Sequence, residues 1–207
     1  NWVSFETGTA MSAAMASGDV QIAVSQGLPP FVVAASGGQD LQLLDVAVSY
    51  AENQGCVVHA DLEIDKMSAG ELAGKKVAVP LGTAAHYSFI RHMDHFGVPL
   101  DSLSIVDMPP PEGANALSQK AVDFACGYGG GLTSMKEYGD VLLTGAEKQE
   151  IGILVFDVTS APAGFVAENG DMVAKFLKVT ADANAMWNAG GDDAALAAGS
   201  HDLVLAE

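Results

Sequence analysis

The side chains able to do chemistry in this chain are polar residues that stand just after short apolar runs. Ser25-Gln26-Gly27 follows Val20 to Val24, Ser49 to Gln54 follows Leu41 to Val48, and Gly82-Thr83-Ala84 with His86-Tyr87 follows Val77 to Val79. Tyr128 stands in Gly127-Tyr-Gly-Gly-Gly131, and Asp157 in Phe156-Asp-Val158. Hydroxyls, amides and tyrosines can hold a small polar guest by hydrogen bonds, and the carboxylate can hold a cation. The stretch Lys75 to Ser88 adds a place for negative charge. Val77-Ala78-Val79 reads as a buried strand stopped by Pro80, and Gly82-Thr83 opens an apolar-periodic helix that runs to Phe96 and ends at Gly97. The first N–H groups of such a helix have no partner within it and carry the positive end of its dipole. They can therefore hold a carboxylate, sulfonate or phosphate without a basic side chain. A helix start for the anionic end and Asp157 for the cationic end would suit a zwitterion. A structural ion pair or a turn hydrogen bond would satisfy Asp157 as well.

No catalytic constellation accompanies these residues, and the expectation is of no enzyme, no metal and no cofactor. His86, His92 and His95 share one helix, but no carboxylate or cysteine completes a metal set, so a solvated helix face is expected. The glycine run after Tyr128 lacks the Lys-Ser or Lys-Thr of a phosphate-binding loop. Cys56 and Cys126 are either a disulfide or two buried thiols, and thiols are the expectation. Glu52 reads equally as a second cation partner or as a side chain facing water.

The elements that must position these groups alternate in order. Strands are expected over Val20 to Val24, Leu41 to Val48, Cys56 to Val58, Val77 to Val79, Ser104 to Asp107, Ala121 to Ala125, Val141 to Leu143 and Leu154 to Val158. Helices are expected over Thr9 to Ser17, from Pro29 to Gly37, over Glu112 to Gln119, Leu132 to Tyr138 and Asp171 to Trp187, with a capping box at Ser68-Ala-Gly-Glu71. That order predicts an α/β fold of mainly parallel sheets flanked by helices, with a ligand crevice beyond the strand ends. At 207 residues the chain is one domain or two small lobes. Its 26 acidic and 9 basic residues give a formal charge of −17, which repels nucleic acid and anionic membranes.

In order and spacing, Trp2-Val-Ser-Phe-Glu-Thr-Gly8, Ala16-Ser-Gly-Asp-Val-Gln-Ile22, Ala73-Gly-Lys-Lys-Val-Ala-Val-Pro80, His86-Tyr-Ser88 and Phe156-Asp-Val158 resemble the periplasmic substrate-binding proteins of ABC importers for taurine, aliphatic sulfonates and nitrate. The taurine-binding branch is the nearest, and the likeness runs from Trp2 to about Phe176. It implies a type II periplasmic-binding-protein fold, two lobes closing on ligand about a hinge. Residues 1–60 would begin the first lobe, 61–150 would form the second, and 151–207 would return to the first. The implied ligand set is Ser25, Gln26, Gly27, Gln54, Thr83, Ala84, His86, Tyr87, Tyr128 and Asp157. Tyr128 stands where the taurine branch carries Trp, Gln54 where it carries Glu, and Gly129-Gly-Gly131 where it has an Ala-Pro segment.

The implied function is capture of taurine or a related small sulfonate or zwitterion and delivery to a membrane permease. The protein would be a periplasmic monomer with its signal peptide already removed. Nitrate, a thiamine-pyrimidine precursor or an enzyme of the thiamine-pyrimidine type are the alternatives. The family's first strand and helix would precede Asn1 and its closing helices would follow Glu207, so the chain is expected to be a fragment.

Overall fold

The computed structural model describes residues 2–190, which divide into two compact units at Pro162/Ala163. In the first unit the strands are β1 (Ala23–Gly27), β2 (Leu41–Tyr50), β3 (Gln54–His59), β4 (Lys76–Val79), β5 (Ser104–Asp107), β6 (Phe124–Tyr128), β7 (Gly139–Val141) and β8 (Val155–Pro162). Its helices are α1 (Gly8–Ser17), α2 (Leu28–Ser36), α3 (Ala84–Phe96), α4 (Pro110–Ser118), α5 (Gly129–Met135) and α6 (Gly145–Glu150). The second unit holds α7 (Ala163–Glu168) and α8 (Gly170–Ala189), joined by Asn169, whose amide donates to the Phe165 carbonyl. Residues 191–207, the end of the segment expected to return to the first lobe, lie outside the described residues.

The strands form two sheets, ordered β1-β8-β2 and β5-β4-β6-β3-β7. The α/β class holds, but the sheets are mixed rather than mainly parallel. Only β4 with β5 and β4 with β6 run parallel; β1 and β2 both pair antiparallel with β8, and β3 pairs antiparallel with β6 and β7. The connection between β2 and β3 excludes a parallel pairing of those two strands. Residues 51–53 are too few for the crossover that a parallel neighbour needs, so the chain passes straight from one sheet to the other. It returns through α6 to β8, which inserts between β1 and β2.

The larger sheet buries both faces, and strict alternation divides them. Cys56 and Val58, Val77 and Val79, and Phe124 and Cys126 pack with Phe89 and Met93 of α3 and with Leu72. The intervening Val57, Ala78 and Ala125 pack on the other side with Leu117 of α4 and with Leu132 and Met135 of α5. Cys56 and Cys126 are directly opposed in the β3–β6 register and form a disulfide, correcting the expectation of free thiols. Their separation along the chain gave no hint of that register.

The buried face of α3 comprises Ala85, Ser88, Phe89, His92 and Met93, spaced three and four apart. His92 therefore lies in the core instead of on a solvated face. Its Nδ1 donates to the Ser88 carbonyl at 2.6 Å, and burial pushes its pKa down to about 4. The expected capping box at Ser68 does not form, because Ser68 bonds instead with Asp65 at 3.1 Å. The capping box that does form is Thr144 with Glu147, at the start of α6.

Candidate ligand-binding site

Four helices of the first unit begin at one place. Thr7 caps α1 by accepting from the Ala10 amide at 3.2 Å, and Thr83 caps α3 by accepting from the His86 amide at 3.4 Å. Gly27 leads into α2 and Tyr128 into α5. Thr7, Gly27, Thr83 and Tyr128 all line a single cavity of about 130 Å³, together with Gly8, Ala84 and Gly129 from the adjoining first turns. The Ala10 and His86 amides are held by these caps and the Gly129 amide by the Asn53 carbonyl; the other first-turn amides have no partner within their own helices, and the dipoles of α1, α2 and α3 add positive potential without any charged side chain. Neither Lys, Arg nor His lines the cavity.

Asp157 enters the same cavity from β8. It lies opposite Gly27 in the β1–β8 register, and a Cβ placed on Gly27 would stand 3.7 Å from the carboxylate. Tyr128 stands between two acids. Its hydroxyl donates to the Glu6 carbonyl at 2.9 Å, and its pKa is pushed up to about 12 by burial first, then by the charges of Asp157 and Glu6. The phenol is thus a fixed proton donor at neutral pH. Ser25 completes this wall in the left-handed region, with φ of 53°, a conformation that costs a serine energy.

Six of the residues expected from sequence line the cavity: Ser25, Gly27, Thr83, Ala84, Tyr128 and Asp157. The other four do not, each for a local reason. Gln26 is fully buried and serves the scaffold: its amide donates to the Gly8 carbonyl at 2.8 Å and to Ser12 Oγ at 2.7 Å, while Ser160 donates to its carbonyl oxygen at 3.2 Å. Gln54 is buried at the start of β3, opposite Tyr128 in register. His86 turns back on its own helix start, where Nδ1 accepts from the Gly82 amide at 3.1 Å. Burial lowers its pKa, with Asp107 opposing. Tyr87, one position on, is exposed.

The segment from Phe5 to Gly8, with Met11 and Pro30, was missed by sequence reasoning, whereas Asn53 belongs to the polar run 49–54 expected after a strand. A signal was present in Thr7, which precedes an apolar helix as Thr83 does. Glu52, next to Asn53, is exposed, accepts from the Gly145 amide at 2.8 Å, and has the Lys148 ammonium within reach of its charge. Among the described residues no group of three or more His, Cys, Asp or Glu could hold a metal ion, and no helix is long and apolar enough to cross a membrane.

Residues 4–194 match the family described as NMT1/THI5 like. The chain belongs to that family. This NMT1/THI5-like chain is 27% identical over 192 residues to the taurine-binding periplasmic protein of Escherichia coli strain K12, covering 93% of the chain and 58% of that relative. It thus spans little more than half the relative's length. Among solved structures, the periplasmic aliphatic sulphonate binding protein SsuA of Escherichia coli superposes with a TM-score of 0.71 at 20% identity, over 91% of this chain and 63% of that one. The alkanesulfonate-binding protein SsuA of Xanthomonas axonopodis pv. citri, bound to MOPS, gives 0.70 at 18% identity, over 87% and 61%. The NMT1/THI5-like chain therefore has the fold of the periplasmic binding proteins.

Proposed function

We propose that this chain is the ligand-binding body of an extracytoplasmic solute-binding protein, which captures taurine or a related small amino-sulfonate and delivers it, as a monomer, to an ABC permease. The observation that carries this reading is that Asp157 and several helix starts line one cavity. A sulfonate finds amide donors and positive dipole ends; an ammonium finds the Asp157 carboxylate and the Tyr128 ring. At about 130 Å³ the cavity is well below the roughly 300 Å³ of the smallest drug-sized sites, which suits a compound of a few heavy atoms. The Cys56–Cys126 disulfide agrees with an oxidising compartment such as the periplasm. In this reading the two sheets belong to two lobes, the connections at 51–53 and through α6 form the hinge, and closure excludes water from the ligand.

Isothermal titration calorimetry of the full-length protein against taurine, a plain alkanesulfonate and nitrate tests the proposal. Taurine is expected to bind, and Asp157→Asn is expected to weaken it by about 10- to 100-fold, the equivalent of a charge-assisted hydrogen bond. The plain sulfonate should lose far less. Equal losses for both would remove the cation role of Asp157, and absence of binding by every compound would remove the function.

A further inference from the structure

Lys148 is a buried cation outside the cavity. It is 2% exposed, and its ammonium donates to the Gln54 carbonyl. Burial pushes its pKa down to about 8, against the pull of Glu52 and with a push from Lys136. A lysine confined in this way costs folding free energy unless its ammonium is held by partners.

Its surroundings supply them. Lys148 belongs to α6, which carries the chain back from the larger sheet to the smaller, whereas Gln54 ends the forward passage between them. These passages are bound together a second time, because the Gly145 amide donates to Glu52 Oε1 at 2.8 Å. A Cβ on Gly145 would fall on that carboxylate, so glycine leaves room for the approach. On its other side the forward passage meets the cavity: the Asn53 carbonyl accepts from the Gly129 amide at 3.2 Å, and both residues are cavity-lining.

We propose that Lys148 is a positioning residue, which locks α6 to residues 52–54 and thereby sets where Asn53 and Gly129 stand in the cavity. The lock is a property of the ligand-free protein, and its effect on ligand rests on the function proposed above. Two variants test it. Lys148→Met keeps the length and apolar stem but removes the donor; Glu52→Ala removes the second tie at an exposed residue that leaves the core intact if the first variant does not fold.

The decisive readout is hydrogen exchange at the Gly129 amide in the absence of ligand, because that amide touches neither substituted side chain. Each variant is expected to speed its exchange about tenfold relative to amides of β4, as loss of one to two kcal/mol of local support requires. Taurine affinity should fall by a similar factor. Unchanged exchange at Gly129 in a folded variant overturns the lock, and faster exchange with unaltered taurine affinity overturns the positioning role. If wild-type protein binds no taurine, the ligand assignment has failed, and exchange at Gly129 still decides whether the lock exists.

Discussion

The hydroxyl of Tyr128, at the end of β6, donates to the main-chain carbonyl of Glu6, ahead of α1, across 2.9 Å. One side chain thereby ties together two helix starts that surround the cavity, and it also places an aromatic ring beside Asp157. Tyr128→Phe should keep the ring and lose the tie, weakening ligand by about tenfold or less, the worth of one neutral hydrogen bond. Calorimetry on the variant checks this; a loss beyond a hundredfold would mean that the hydroxyl contacts ligand itself.

The proximity of Asp157 to Tyr128 has its own signature. Burial is the largest cause of the rise in the phenol's pKa to about 12, and the negative charge of Asp157 is the next. Asp157→Asn should therefore lower the titration midpoint of this tyrosine while leaving it above the ordinary value of 10. Absorbance titration of tyrosinate, referenced to Tyr128→Phe, measures the shift. An unmoved midpoint would contradict the geometry.

His92 predicts the acid response. Its folded pKa of about 4 lies below the ordinary 6.5, so the folded state binds fewer protons than the unfolded chain between those values. The stability linked to His92 is complete above pH 6.5 and is lost as pH falls toward 4, by about 3 kcal/mol over the window. His92→Leu should flatten the fall in denaturation midpoint between pH 6.5 and 4. A variant with the same slope as the wild type would show that other groups set the response.

Cross-linking Cys56 to Cys126, 70 residues apart, constrains the unfolded chain by about 4 kcal/mol on the loop-entropy scale. Double substitution to alanine should lower the unfolding free energy by a comparable amount in urea, and reductant should destabilise wild type but not the variant.

The glycine run after Tyr128 separates into three different positions. Gly131→Ala would drive a methyl into the backbone of Pro110 and should cost more than 2 kcal/mol, while Gly130 meets open space and should tolerate alanine with a slight gain in helix stability. Gly129 has φ of +55°, so alanine there should cost about 1 kcal/mol. Thermal melts of the three single variants provide the ranking.

Much of this architecture was legible because period and punctuation are local. Ser104–Asp107 is read from the sequence with both ends right, and the Thr83 cap and Gly97 stop bracket α3 as its pattern requires. β1 was read three residues too early, since Ser25 and Gln26 are polar. Gln26 is nevertheless fully buried, because partners 14 to 134 residues away satisfy its amide. Tertiary hydrogen bonds of that range leave no trace in a local pattern. The same holds for strand direction: nothing near residues 51–53 indicates that β3 will pair with β6. In the site, side chains directly after strands were found, whereas α1 contributed through its N-terminal turn, ahead of any strand.

The place of β8 governs the order in which the molecule can form. It is the middle strand of the smaller sheet, yet it is the last strand of the first unit in sequence, so β1 and β2 have no common neighbour until residues 155–162 leave the ribosome. The larger sheet draws all five strands from residues 54–141 and can assemble beforehand. Until β8 emerges, Ser25 and Gly27 exist without Asp157, and one side of the cavity waits on the last strand of the first unit.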